Sequence, residues 1–107
     1  MTEETRIAVD AMGGDGGPSV IMPSIKDFLS THNDVKIEVF GDEDLIYKYT
    51  NKFEESILKN IKIIHTNEKV LSNDSPSHAL RHKKKSSMSL AIESVKNKNT
   101  QACVSAG

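Results

Sequence analysis

Two clusters of residues in this sequence are equipped to handle an anion. In "RIAVDAMGGDGGPS", Asp10, Gly13, Gly14, Asp15, Gly16 and Gly17 follow directly on a short apolar run. Glycine lacks Cβ, so such a loop reaches positive φ and brings backbone N–H groups close to an anion at the start of the next helix. Asp10 or Asp15 then accepts from a ligand hydroxyl or fixes the loop. A tight turn chosen only for its geometry accounts for the same glycines. The dinucleotide pattern G-x-G-x-x-G fails, because Ser19 stands where the third glycine belongs, and there is no GK[ST] phosphate loop.

The second cluster is "RHKKKSSM", where Arg81, Lys83, Lys84 and Lys85 precede Ser86, Ser87 and Met88. Cations, hydroxyls and a helix N-terminus together make a phosphate-sized site. A solvated basic face is the plainer reading. No aromatic residues interleave with these charges, which counts against a nucleic-acid patch. His78 and His82 are four apart, but Ala79 stands where a zinc helix carries Glu, and no third ligand is evident, so no metal site is assigned. Cys103 lies in an apolar run before small residues and is expected in the core rather than as a nucleophile. His32 and His65 have no partners to argue from, and no acid/base pair stands out among the carboxylates.

What positions these clusters is an alternation of short β-rich runs with segments of helical period. The runs are Ile7 to Val9, Val35 to Phe40, Ile61 to His65 and Ala102 to Ser105. Between the first two, Ile21, Ile25 and Phe28 share a helical face with Met22 and Leu29 beside it, and Pro18 or Pro23 opens the helix, which ends near "THND". Asp42 is placed to cap the next segment, which forms two short helices or one bent one. Beyond the third run a short helix from about Ser77 is expected, then a break near Ser86 and a longer helix carrying Met88, Ile92 and Val95. Strand and helix in succession imply right-handed crossovers and a parallel sheet covered on both faces. Ligands of such sheets gather at the carboxyl ends of the strands, which places "AMGGDGGP", "GDED" and the terminal "SAG" along one edge.

Composition narrows the classes. With 107 residues, 36% of them hydrophobic and 27% charged, the chain has the size and balance of one ordinary globular unit. Its formal charge of −1 provides no global field to recruit nucleic acid or an anionic membrane. A single cysteine excludes an internal disulfide, and no apolar run approaches membrane-spanning length, so a cytoplasmic chain is expected. The sequence stops at Gly107, just after a strand and before the crossover helix a parallel sheet requires. An amino-terminal part of a single larger α/β domain is therefore expected over residues 1–107.

Taken together, "AVDAMGGD", "PSHALRHKKKSSM" and "QACVSAG" resemble the bacterial acyl-acyl-carrier-protein:phosphate acyltransferases of phospholipid synthesis. The resemblance covers nearly all of the chain. It implies a three-layer α/β/α sandwich with a mainly parallel sheet, like that of the isocitrate and isopropylmalate dehydrogenases, here truncated. It also implies a homodimer, peripherally associated with the membrane, that converts long-chain acyl-acyl-carrier-protein and inorganic phosphate to acyl phosphate without a cofactor. The product would feed a glycerol-3-phosphate acyltransferase. Asp10, Gly13, Gly14 and Asp15 match the family's glycine-rich loop; Arg81, Lys83, Lys84, Ser86, Ser87 and Met88 match its basic-serine segment. With Gly107 at the end of the last run, these are the expected substrate- and phosphate-binding residues. His82 stands where a second arginine is common, Lys85 adds a charge, and Gly16 and Gly17 replace a bulkier residue. Acid/base groups and the acyl groove are expected beyond residue 107, so no catalytic residue is assigned and the 107-residue chain alone is expected to be inactive. Two other readings stay open: a non-catalytic module that binds phosphate or carrier protein, and another phosphate- or nucleotide-handling α/β enzyme.

Overall fold

The computed structural model describes residues 4–67 and 86–105. Along them run β1 (Thr5–Asp10), α1 (Pro18–Thr31), β2 (Val35–Gly41), α2 (Glu43–Thr50), α3 (Glu55–Leu58), β3 (Ile61–His65), α4 (Ser87–Lys96) and β4 (Ala102–Ser105). All four runs read as strands are strands, and they pair in parallel in the order β3-β2-β1-β4.

The twofold alternation of side chains along a strand divides the core between the two faces of this sheet. On one face Val9, Val35, Ile37 and Val39 pack against Met22, Ile25 and Leu29 of α1, Ile46 of α2 and Ile57 of α3. On the other, Ala8 and Phe40 meet Ala91 of α4, with Ile64 and Leu90 beside them. The result is an α/β/α arrangement of three layers. The path from β1 through β2 to β3 moves outward in one direction, whereas the path to β4 returns past β1. A right-handed crossover therefore needs the opposite face for α4.

Local chemistry sets the helix ends. Pro18, which has no N–H to leave unpaired, opens α1 in the first turn, while Pro23 lies inside the helix on its exposed side. The fully buried stripe of α1 is Met22, Ile25 and Leu29; Ile21 and Phe28 only flank it. Phe28 is drawn to that flank by stacking on His32, with ring centroids 4.4 Å apart. Asp42 caps α2 by accepting from the Asp44 amide at 3.0 Å, and Glu43 and Asp44 supply acids to its first turn. Of the alternatives expected after β2, two short helices form.

The end of α4 carries a local strain. The amide of Lys98 donates to Val95 O and that of Asn99 to Ser94 O, the pair of bonds that closes a helix through a left-handed residue. That residue is Lys98, with φ 64°, where glycine is the unstrained choice. Lys98→Gly should therefore stabilise the fold by about 1 kcal/mol, the usual cost of left-handed backbone for a residue with Cβ. A raised urea midpoint with unchanged slope is the expected reading, and an unchanged or lowered midpoint counts against it.

Cys103 departs from expectation, since it is exposed rather than in the core. Its strand pairs only with β1 among the described residues, and all four of its residues are exposed. With one neighbouring strand among the described residues, the other side of this apolar run is uncovered here.

Candidate functional site

The chain reverses direction across the sheet between β1 and β4, and open parallel sheets hold ligands in the crevice at the carboxyl side of such a reversal. The last residues of these two strands, Asp10 and Ser105, are register partners. Both side chains lie on the α4 face. The Ser105 hydroxyl donates to Asp10 Oδ2 at 2.8 Å. From above, the Ser87 hydroxyl, at the first position of α4, donates to Asp10 Oδ1 at 2.5 Å. The Met12 amide adds a bond to the same oxygen at 3.0 Å. Asp10 is thus a buried carboxylate, 3% exposed, that ties together the end of β1, the loop after it, the start of α4 and the end of β4.

The loop leaving β1 has the backbone its glycines anticipate. Gly14 and Gly17 take φ of 76° and 52°. Gly17 caps α1 with no side-chain bond. The first amides of that helix are turned inward: Ser19 N donates to Gly16 O, and both Val20 N and Ile21 N donate to Gly17 O. Any donors offered to a ligand here belong to the loop ahead of the helix, not to the helix's own first turn. Next to the loop, the Ala11 amide donates to Phe40 O at 3.0 Å, and the Thr66 amide to Gly41 O at 2.9 Å, so the exits of β1, β2 and β3 are laced into one edge. His65, at the end of β3, accepts from the Glu43 amide through Nδ1 at 3.1 Å.

Residues 5–107 match the family described as fatty acid synthesis protein. The chain belongs to this family. Among curated relatives, the phosphate acyltransferases of Shewanella baltica strains OS155 and OS185 are each 50% identical over 101 residues, 94% of this chain and 30% of theirs. That of Shewanella sediminis is 45% identical over the same share. The chain thus spans 30% of the length of the curated relatives it matches.

Of the residues singled out in the sequence as phosphate-binding candidates, the structure brings Asp10, the Gly13, Gly14 and Asp15 loop, Ser86 and Ser87 to one edge. Arg81, Lys83, Lys84 and Gly107, like His78 and His82, lie outside the described residues. Ser86 ends as the cap of α4, its hydroxyl oxygen accepting from the Ser89 amide at 3.2 Å. Ser105 begins the "SAG" expected along this edge, but its bond to Asp10 was not anticipated; a serine one strand over, in parallel register with Asp10, was the available signal. A second buried carboxylate also went unread: Glu38 on β2 accepts from the Ser94 hydroxyl of α4 at 3.2 Å, and Ser94 in turn accepts from Thr100 at 3.1 Å. A charged residue inside "VKIEVFG" was the sign of it. It anchors the far end of α4, as Asp10 anchors the near end. No helix among the described residues is long and apolar enough to cross a membrane.

Proposed function

We propose that this chain is the amino-terminal part of a phosphate acyltransferase that forms acyl phosphate from a long-chain acyl-acyl-carrier-protein and inorganic phosphate. The observation that carries the reading is that Asp10, at the reversal point of the sheet, joins the loop that holds positive-φ Gly14 to the start of α4. The names borne by the curated relatives support it. Phosphate is already a nucleophile at neutral pH, and a thiolate, whose thiol pKa is about 8.5, is an adequate leaving group. A phosphate oxygen attacks the thioester carbonyl, the C–S bond breaks, and the carrier's thiolate takes up a proton. The protein must neutralise part of the phosphate charge, align it with the carbonyl and stabilise the oxyanion by fixed donors. Loop amides near Gly14 and the cations of the Arg81–Lys84 segment suit the first two tasks. Acyl carrier protein, a second copy of the protein, a membrane surface and a glycerol-3-phosphate acyltransferase that takes the product are the partners proposed with this activity.

The test is turnover by the complete protein with acyl-acyl-carrier-protein and labelled phosphate. Acyl phosphate and free carrier thiol should appear together, and only when phosphate is present; thiol release indifferent to phosphate would overturn the proposal. Lys84→Ala should raise the KM for phosphate by about tenfold, with a smaller effect on the KM for carrier protein. If only the carrier-protein KM moves, the basic segment is a docking patch for an acidic protein.

A further inference from the structure

We propose that Asp10 is a positioning residue, one that sets the glycine loop, the first turn of α4 and the end of β4 in a single geometry without itself touching the anion. The inference rests on the reading of this edge as a phosphate-handling site and assigns the carboxylate its part in it. Two observations and one physical argument support it. The first is occupancy: Oδ1 already takes the Ser87 hydroxyl and the Met12 amide, and Oδ2 takes Ser105. The second is burial, since only 3% of Asp10 is exposed, which leaves little of the carboxylate to present to a ligand. The third is charge: a carboxylate in contact with a phosphate oxygen would oppose its binding, and more strongly away from bulk water.

The same bonds decide what Ser87 offers. A serine hydroxyl has one proton, and that of Ser87 goes to Asp10. What remains on its oxygen is lone pairs, which suit a cation or an N–H group and not a deprotonated phosphate oxygen. Although Ser87 belongs to the basic-serine segment, in this geometry it fastens α4 instead of donating to the anion. Asp10, Ser87 and Ser105 form a clamp whose product is the placement of their neighbours, Gly13 and Gly14 above all.

The complete enzyme carrying Asp10→Asn tests the clamp. Asn keeps an acceptor for Met12 and Ser87 but turns an N–H₂ toward Ser105. Its kcat should fall about tenfold, and that of Asp10→Ala about 100-fold, the scale of loss from misplacing groups around a reacting centre. The KM for phosphate should stay within about threefold of wild type in Asp10→Asn. Ser87→Ala should lose kcat as well, and the double variant Asp10→Asn with Ser87→Ala should be no worse than the more impaired single, because both break one unit. A phosphate KM that rises more than about tenfold at constant kcat, or losses that multiply, would overturn the assignment. Amide exchange gives a readout independent of turnover: the Met12 amide should lose protection in Asp10→Ala and keep it in Asp10→Asn. Unchanged protection in Asp10→Ala contradicts the clamp. Wild-type turnover indifferent to phosphate contradicts the proposed activity and leaves the exchange test standing.

Discussion

Gly14→Val should lower phosphate-dependent acyl-phosphate formation by about 100-fold while the melting temperature of the complete protein falls by no more than a few degrees. Gly14 is exposed, contributes nothing to either core cluster, and holds φ 76°, a backbone region that β-branched residues essentially do not occupy. Valine must therefore move the loop, at a strain of about 1–3 kcal/mol that stays local. Two causes of lost activity can be separated with Gly14→Asn, because asparagine tolerates positive φ. If only the backbone angle matters, Asn restores most of the turnover; if a ligand approaches the bare backbone closely, Asn remains impaired like Val. Normal turnover in a well-folded Gly14→Val protein would remove the loop from the site altogether. Activity and stability lost in step would reduce it to a turn.

The largest expected change in stability comes from α1. Leu29 is 1% exposed and sits with Met22 and Ile25 against Val35, Ile37 and Val39. Leu29→Ala should cost about 2–5 kcal/mol, the range for truncating a leucine in a packed core where neighbours close the cavity only in part. Val20→Ala on the same helix is the control: Val20 is 58% exposed, and its truncation should change stability by less than about 0.5 kcal/mol. Urea unfolding followed by circular dichroism measures both. A Leu29→Ala midpoint close to that of Val20→Ala would mean that α1 is not packed on the sheet through this stripe.

What could be read in the sequence was governed by local physics. Runs such as "KIEVF" and "IKIIH" announce strands through β-branched and aromatic residues, and Pro18, Asp42 and Ser86 announce helix starts through the bonds they lack or supply. The glycine loop was legible as a place of unusual backbone, and its side of the sheet followed from the alternation of elements. What escaped was decided by which strands became neighbours. The exposure of Cys103 reflects β4 having only β1 beside it among the described residues, and the bonds from Asp10 to Ser87 and Ser105 span 77 and 95 residues. No local pattern encodes that separation. Lys98 escaped for another reason: its left-handed backbone is imposed by the closure of α4 against β4, at a position where the residue type argues the other way.

The distance in sequence between β1 and β4 also orders the assembly of the molecule in time. The loop closed by pairing β1 with β4 is about three times longer than the one closed by pairing β1 with β2, and the difference adds about 1 kcal/mol of closure entropy. Pairing of β1 with β2, and the docking of α1 between them, therefore precedes the arrival of β4 on loop length alone. During synthesis the same order is enforced by the ribosome, since β1, α1 and β2 emerge long before Ser105. Until then Asp10 is open to water on the side that Ser105 will cover. Among the four described strands β4 is thus the last to join, and a chain caught before that step already has its larger apolar core but not the contact between Ser105 and Asp10.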